Sequence, residues 1–312
     1  MKAIMYHYVR PFSDDLPNLK NLSFDNFKRQ LDFFNKEFGF VKKDEFVKSF
    51  NGKVPKGIIL TFDDGFSCHY DFVFKELRKR DLWGIFYIPT QPYKQDKLID
   101  VHRIHVLLAK HDSKILYNFL IDVLDDNFIE KDKIEEFRNK TYTRQKNDDY
   151  TNFIKKTLNY YISYQFRNNI INLLMEKFIP NESEIFEKFY LTESQILEMH
   201  NSGMVIGSHT VNHPVMSKLN FQDQEFEIKD SFRFLKSITR NFHHKTFCYP
   251  YGGFHSFNND TERILDKEKC LYSFNVESRD IDINDVRLRP QALPRYDCNY
   301  FPFGQVNQPK QY

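Results

Sequence analysis

The sequence predicts an α/β fold built on a parallel sheet, because short apolar runs alternate along the chain with segments of helical periodicity. Residues 58–62 (IILTF) and 84–89 (GIFYIP) are typical of fully buried strands. Residues 71–80, between them, predict a connecting helix. A chain of 312 residues is long enough for one large domain, or for one domain with an insertion.

The flanking segments continue this alternation. Residues 1–5 (MKAIM) predict the first strand. Residues 25–38 predict a helix because Phe27, Leu31 and Phe34 recur at helical spacing. The elements predicted further along are a helix that starts with a capping box at Thr192 and Gln195 and ends at Ser202 and Gly203, a strand at 204–207, a helix at 223–238 and a strand that reaches Tyr249.

The stretch from residue 91 to residue 190 differs in composition from the rest of the chain. No glycine occurs from residue 85 through residue 202, although the chain has ten elsewhere, and amphipathic helical patterns recur. We therefore predict a helical insertion at 91–190 between the two parts of the main domain, 1–90 and 191–312. Because the insertion follows the end of a strand, we expect a lid or a specificity wall more than a stabilising decoration.

The bulk composition argues against several classes of protein. A formal net charge of +2 gives no basic footprint for nucleic acid. No stretch approaches the length of a transmembrane helix, and the N-terminus lacks the pattern of a secretory signal. The cysteines show no C-x-x-C spacing and predict reduced structural thiols. We expect a cytoplasmic protein, and the sequence does not indicate its oligomeric state.

Two motifs far apart in the chain predict a metal site. Asp63 and Asp64 are adjacent at a strand end, where two carboxylates repel each other unless a cation relieves the repulsion. His209 and His213 are four residues apart, a spacing that places both imidazoles on one face of a helical turn. One carboxylate and two histidines leave a coordination position open, which is the layout of a catalytic zinc site. The same donors also describe a non-haem iron site, although the order of acid and histidines counts against an oxygenase.

Three motifs, in their order along the chain, resemble those of a known family. Residues 61–65 (TFDDG), 208–214 (SHTVNHP) and 247–252 (FCYPYG) resemble the motifs of the polysaccharide deacetylases, the NodB-homology members of carbohydrate esterase family four. Residues 5–9 (MYHYV) are similar to the first strand of one branch of that family. The resemblance implies a distorted (β/α) barrel of seven or eight strands, with the active site at the carboxyl ends of the strands.

The resemblance also implies roles for these residues. Asp64, His209 and His213 would bind the metal, and Asp63 would act as the general base that takes a proton from water. Zinc is the expected ion, with Co²⁺, Fe²⁺ and Ni²⁺ as alternatives. The backbone amide of Tyr251 matches the family's oxyanion donor. Three neighbours in the same motif are expected to line the substrate site, namely Tyr249, Pro250 and Gly252.

Two departures from the family pattern affect the catalytic prediction. The arginine that many members carry before the Pro-Tyr of the third motif is replaced here by Cys248 and Tyr249. The final Leu-x-x-His, which usually supplies the general acid, is Leu293-Pro-Arg-Tyr in this chain. Arginine is too weak an acid to donate a proton, so we expect Arg295 to steady Asp63 or a substrate anion.

Other histidines must then supply the acid. The candidates are His7 at the end of the first strand, and His102 and His105 at the start of the insertion. We predict His105 as catalytic and His7 and His102 as substrate-binding. His69 and His255 are weaker candidates.

The function predicted from these residues is removal of an N-acetyl or N-formyl group from an amino sugar by a metal-dependent hydrolase. Without an export signal, the expected substrates are nucleotide-sugar, lipid-linked or glycan precursors of a surface polysaccharide. One alternative is a catalytically impaired glycan-binding or assembly protein that keeps the barrel and the metal, which the missing histidine of the final motif favours. Another is hydrolysis of amides that are not sugars, because metal ligands specify a reaction and not a substrate.

Overall fold

The computed structural model describes residues 1–143, 145–242 and 244–306. It contains two compact units. Among the described residues, the first comprises 1–12, 21–95 and 188–306, and the second comprises Ser13–Lys20 and Asp96–Glu187. The last six residues of the predicted main domain, 307–312, lie outside the described residues.

The first unit is built on a seven-stranded sheet in the order β6-β5-β4-β3-β2-β1-β7, in which every strand pair is parallel. The sheet curls into the half-barrel of a distorted (β/α) barrel, so the predicted fold class is confirmed, with seven strands. The strands are β1 Lys2–Tyr6, β2 Ile58–Phe62, β3 Ile85–Ile88, β4 Val205–Ser208, β5 Thr246–Cys248, β6 Tyr272–Phe274 and β7 Tyr296–Asp297.

The segment 293–297 links the two edges of this sheet. Leu293 exchanges backbone hydrogen bonds with the β6 region, donating to Ser273 (2.8 Å) and accepting from Asn275 (2.9 Å). A few residues later, β7 pairs with β1 on the opposite edge. Arg295 lies in the middle of this crossing segment and is 1% exposed. The chain therefore brings a buried guanidinium to the place where the barrel closes.

Alternation along the strands separates two apolar faces. Residues of one parity, such as Leu60 and Phe86, join the core that packs against the surrounding helices. Residues of the other parity, such as Ile59 and Tyr87, form a second core on the inner face of the barrel. Gly207 lies on this inner face because a Cβ there would come within 2.5 Å of the Tyr87 ring.

Fourteen α-helices complete the described part of the chain. The helices are α1 Phe24–Glu37, α2 Lys43–Ser49, α3 Lys75–Lys79, α4 Pro92–Gln95, α5 Asp100–Lys110, α6 Ser113–Val123, α7 Lys131–Phe137, α8 Asp149–Lys156, α9 Tyr164–Phe178, α10 Glu182–Phe186, α11 Glu193–Asn201, α12 Phe221–Thr239, α13 Asn259–Lys267 and α14 Ile283–Leu288. Helices α5 to α10 belong to the second unit, and the others belong to the first.

Two local features refine the predicted helices of the first unit. The helix predicted at 71–80 begins earlier, as a π-helix over His69–Phe74 that runs into α3. Wide turns of this kind are often found beside functional sites. The capping box predicted for α11 is present: the Thr192 side chain accepts from the Gln195 N–H (3.2 Å), and the Gln195 side chain accepts from the Thr192 N–H (2.9 Å).

The second unit is helical, and a partly buried ion pair ties two of its helices together. The guanidinium of Arg103 on α5 donates to both carboxylate oxygens of Glu182 on α10, at 2.7 and 2.5 Å. Residues 13–20, which the sequence analysis assigned to the main domain, cluster with this unit. They do so because the Asn18 N–H donates to the Ala109 carbonyl (3.1 Å) and the Lys20 ammonium donates to the Lys146 carbonyl (2.9 Å). None of the helices described in either unit is long and apolar enough to cross a membrane.

Candidate functional site

Three strands deliver polar side chains to the inner face of the barrel at its carboxyl end. His7, Asp63 and His209 each directly follow the last residue of β1, β2 and β4. The sheet continues through two of them, because the Asp63 N–H donates to the Tyr6 carbonyl (2.9 Å) and the His209 N–H donates to the Ile88 carbonyl (3.1 Å). All three have the parity of the inner core. Strand geometry alone therefore directs these side chains into one cleft.

Asp64, His209 and His213 form a buried cluster of three donors. Oδ1 of Asp64 lies 3.4 Å from Nε2 of His209 and 3.5 Å from Nε2 of His213. A tetrahedral ion with donor bonds of about 2.0–2.2 Å separates neighbouring donors by about 3.3–3.6 Å. The three side chains are at most 6% exposed. Their spacing and chemistry therefore fit a divalent metal held by one carboxylate and two imidazoles.

The surroundings of His209 fix which of its nitrogens faces this cluster. Nδ1 lies 2.8 Å from the backbone carbonyl of Cys248, so it carries the proton and donates it to that oxygen. Nε2 then points towards Asp64 and is the nitrogen that would offer a lone pair to a metal. A hydrogen bond of this kind orients the ring and makes the imidazole a better metal ligand.

The two histidines are not on a helical turn, so that part of the prediction is wrong. His209 ends a strand, and His213 lies in a loop with a φ of 55°, preceded by Thr210 with a φ of 67°. Asp64 and Tyr251 also have positive φ angles, 82° and 63°. Positive φ is uncommon for residues other than glycine and costs on the order of 1–3 kcal/mol at each position. Four such residues at one place mark a backbone held in shape for a purpose other than stability.

Arg295 makes a complete set of contacts around Asp63. Nη1 and Nη2 donate to the two carboxylate oxygens at 2.8 and 2.9 Å. The remaining guanidinium protons go to the Asn275 carbonyl (3.0 Å), the Thr61 hydroxyl (3.0 Å) and the Cys248 sulfur (3.0 Å). All five N–H donors of the guanidinium are thus occupied. Arg295 was predicted to steady either Asp63 or a substrate anion, and the structure places Asp63 in contact with it.

This ion pair keeps Asp63 ionised. Complete burial by itself would raise the pKa of the carboxyl group. The positive charge of Arg295, its hydrogen bonds and the charges of His209 and His7 together outweigh the effect of burial. The pKa of Asp63 therefore falls below its ordinary value. Asp63 therefore stays a carboxylate inside the barrel.

Cys248 lies at the part of the third motif where many members of the resembled family carry an arginine, and it contacts Arg295 instead. Its buried thiol is small and lies 3.5 Å from Asp63 and 3.0 Å from Arg295. Asp63, His209 and Cys248 are close enough to form a second set of metal donors. The guanidinium already bonds to two of the three, and one cation excludes another there. Burial also raises the pKa of the thiol, which keeps it protonated and a poor ligand.

His7 lies beside Asp63, and a second histidine holds its backbone. Its charge lowers the pKa of Asp63, which places the ring near that carboxylate. His69 at the start of the π-helix donates from Nε2 to the His7 carbonyl (2.8 Å). Burial lowers the pKa of His69 to about 4, so that ring is neutral and is not a proton donor at neutral pH. The role of His7, as an acid or in binding substrate, stays a prediction.

Tyr251 and Gly252 lie next to one of the metal donors, His213. The Tyr251 ring meets the His213 ring edge to face, with centroids 5.0 Å apart. Gly252 has a φ of 69°, and a Cβ on it would come within 2.5 Å of Val276. Only glycine fits this position, because a side chain would both strain the backbone and displace Val276. The Gly252 turn therefore holds the backbone next to Tyr251 in one conformation.

One neighbour predicted to bind substrate, Tyr249, lies in the helix-facing core instead. Tyr249 is 1% exposed, its ring stacks on Phe257 at 3.7 Å, and its hydroxyl donates to the Gln291 carbonyl (2.5 Å). Pro250 is buried as well. The β5 strand carries Tyr249 to the outer, helix-facing core, because its parity is opposite to that of Cys248. We correct the assignment of Tyr249 to a core residue.

His102 and His105 belong to the second unit. Both lie on α5, and their rings are 5.8 Å apart. His102 is completely buried. Every other predicted site residue lies in the first unit. The catalytic role of His105 and the substrate-binding role of His102 stay predictions.

Glu227 on α12 is a site residue that the sequence analysis missed. It is 5% exposed and accepts from the backbone N–H groups of Val211 and Asn212, each at 2.8 Å. Burial raises the pKa of Glu227 above its ordinary value, although these donors oppose the shift. A signal was available in the sequence: Glu227 falls in the stripe of buried positions that includes Ile228 and Leu235, where a charged residue needs a partner.

The comparisons with known proteins agree with this geometry. The family model described as polysaccharide deacetylase matches residues 136–269. The YxkH protein of Bacillus subtilis (strain 168), itself named only provisionally as a polysaccharide deacetylase, is 34% identical over 85 residues. That alignment spans 27% of this chain and 28% of YxkH. The predicted resemblance to the polysaccharide deacetylases is therefore confirmed, and the match includes both histidines but not the acid pair at 63–64.

Solved structures extend the likeness to nearly the whole chain. The Streptococcus pyogenes deacetylase PplD, in complex with acetate, superposes with a TM-score of 0.57 at 16% identity, over 95% of this chain and 91% of that one. IcaB from Ammonifex degensii gives a TM-score of 0.56 at 18% identity, over 95% and 90% of the two chains. Identities this low show a shared fold. The activity must be argued from the site itself.

Proposed function

We propose that this protein is a metal-dependent deacetylase that removes the N-acetyl group from an amino sugar in a carbohydrate. One observation supports it above all: a three-donor cluster of Asp64, His209 and His213 lies beside a second carboxylate, Asp63, that Arg295 holds ionised. One acid serves as a ligand and the other is left to move a proton. A binding protein has no use for the second carboxylate.

The chain's own groups divide the reaction among themselves. A divalent metal, with zinc as our choice, supplies Lewis acidity and lowers the pKa of water when it is held by the three donors. Asp63 accepts the proton of the attacking water, and Arg295 fixes the direction from which it does so. The Tyr251 amide, set by the Gly252 turn, donates to the developing oxyanion.

His7 is the group we assign to protonate the leaving amine. The family's usual position for that acid is Tyr296, whose hydroxyl instead donates to Asp280 (2.8 Å) in an exposed contact. His7 is on the inner face, close to Asp63, with its backbone held by His69. An imidazolium there can donate its proton and then be recharged from Asp63.

The first experiment measures acetate and formate release from a panel of N-acylated amino sugars, nucleotide sugars and short oligosaccharides. Zinc-loaded wild type is compared with Asp63→Asn, which keeps the size of the side chain and loses the base. Release by the wild type alone supports the proposal and identifies the substrate class among free amino sugars, nucleotide sugars and oligosaccharides. Equal release by both proteins would contradict the role of Asp63.

A glycan-binding protein is the second candidate, and the displaced acid at Tyr296 is the observation that favours it. Binding of an oligosaccharide from the panel by metal-loaded wild type, without any acyl release from it, would support this alternative. The predicted cytoplasmic location and the role of the second unit as a lid or specificity wall stay proposals.

A further inference from the structure

The loop from 208 to 213 carries both histidine donors in a conformation that needs support. Thr210 and His213 have φ angles of 67° and 55°, and threonine is β-branched, which makes the first a rare conformation. Within the loop, the His213 N–H donates to the Thr210 hydroxyl (2.8 Å). Strain of this size persists only where the surroundings over-determine the backbone.

Two residues between the strained positions point their N–H groups at one oxygen. The amides of Val211 and Asn212 both donate to Oε2 of Glu227, and the Asn212 side-chain amide donates to Oε1 (2.6 Å). Consecutive N–H groups that converge in this way form a nest for an anion. Here the anion is a buried carboxylate supplied by α12.

The same helix makes a second contact with the loop. The Ser231 hydroxyl, one turn after Glu227, lies 2.5 Å from the Ser208 hydroxyl at the loop's start. On the other side, the N–H groups of Thr90 and Gln91 donate to the carbonyls of Thr210 and Val211, at 3.1 and 2.9 Å. Thr90 and Gln91, just after β3, contact only carbonyl groups of the loop. Glu227 is therefore the partner of the N–H groups of residues 211 and 212.

We propose that Glu227 is a positioning residue for the metal site: by filling the nest between the two histidines it holds their imidazoles at the spacing that a metal requires. It touches neither metal nor substrate. Its effect reaches the site through the backbone of the loop, so its loss lowers metal affinity before it lowers the stability of the fold. This inference rests on the proposed metal dependence.

The test compares metal binding by four forms of the full chain: wild type, Glu227→Gln, Glu227→Gln with Asn212→Asp, and Glu225→Gln. In the first variant, one oxygen still accepts from the backbone, but the NH₂ group that replaces the other carries no charge. With Asn212 in its present orientation, this NH₂ group also meets the Asn212 amide donor against donor. The second substitution restores a donor and acceptor pair and keeps the net charge. Glu225 is the control, because it lies on the same helix and pairs with Lys229 (2.7 Å) away from the loop.

The readouts are the Kd for Co²⁺, the visible absorption of bound Co²⁺ and the thermal midpoint of the metal-free protein. We expect Glu227→Gln to raise the Kd about 10–100-fold and to change the Co²⁺ spectrum. The thermal midpoint of the metal-free form should change little. The double variant should recover most of the affinity, and Glu225→Gln should match wild type.

An unchanged Kd and spectrum in Glu227→Gln would overturn the inference while leaving the metal site in place. So would a lower thermal midpoint with normal metal affinity, or a double variant that fails to regain affinity, since both indicate a purely structural role. If wild type itself binds no Co²⁺, the proposed metal dependence fails and this inference fails with it. The wild-type titration therefore separates the two failures.

Discussion

At the scale of single residues, the site depends on a charge that comes from an unexpected part of the chain. A guanidinium orients the Asp63 carboxylate, and it comes from Arg295 in the segment that closes the barrel. The small thiol of Cys248 leaves the space that this guanidinium fills. Function at this site thus follows from where groups meet in space, and the motif position that supplies them can change.

Replacing Arg295 by lysine tests this arrangement. Lysine keeps the charge but cannot form two parallel hydrogen bonds to a carboxylate. We expect kcat to fall about 100-fold through misplacement of Asp63, with metal stoichiometry unchanged. Steady-state kinetics and metal analysis of the purified variant give both values. Full activity in the lysine variant would show that charge alone is sufficient.

The identity of the general acid is tested by His7→Gln beside His105→Gln. We expect the first to lose about 100-fold or more on an N-acetylated amino sugar, and the second to keep its activity. With 4-nitrophenyl acetate, whose leaving group needs no proton, His7→Gln should be nearly as active as wild type, whereas Asp63→Asn should be inactive. If only His105→Gln lost activity, the general acid would be His105 of the second unit and not His7.

At the scale of elements, strand parity and close packing position the site. Gly207 lies on the inner face of β4, two residues before His209, and its missing Cβ makes room for the Tyr87 ring. The Tyr87 hydroxyl is in turn hydrogen-bonded to Thr246 on β5 (2.9 Å). The spacing of β3, β4 and β5 therefore depends on one absent methyl group.

Gly207→Ala should lower the free energy of unfolding by about 1–3 kcal/mol, because the added methyl overpacks the inner core. Urea denaturation measures the change. Gly52→Ala is the matched control, since its nearest contact is the Lys48 carbonyl at 3.3 Å and it lies outside the sheet, just after α2. Equal stability of the two variants would show that the sheet relaxes around the methyl group without cost.

At the scale of the whole molecule, a bound metal should stabilise one unit selectively. All three donors lie in the first unit. A ligand present at 100 times its Kd stabilises the folded state by about 2.7 kcal/mol if it binds only that state. We therefore expect zinc to raise the thermal midpoint, and His213→Ala to abolish the increase.

Hydrogen exchange locates this effect. Zinc should slow exchange of the amides in residues 208–213 and leave α5 to α9 unchanged. The same measurement on His213→Ala, with and without zinc, is the control. Equal protection of both units would contradict a metal effect that begins in the first unit.

The sequence by itself determined the class of fold and which residues form the candidate metal site. Apolar runs of strand length with helices between them permit little except a parallel α/β layer structure, and paired acids and histidines have few uses other than metal binding. These are local properties, and local properties can be recognised in an amino-acid sequence. The tertiary structure decided the rest, because the remaining site depends on contacts between distant segments. It brought Arg295 to Asp63 across 232 positions and placed Glu227 under the histidine loop. It also turned Tyr249 into the core, since alternation along a strand gives one residue to the cleft and the next to the helices.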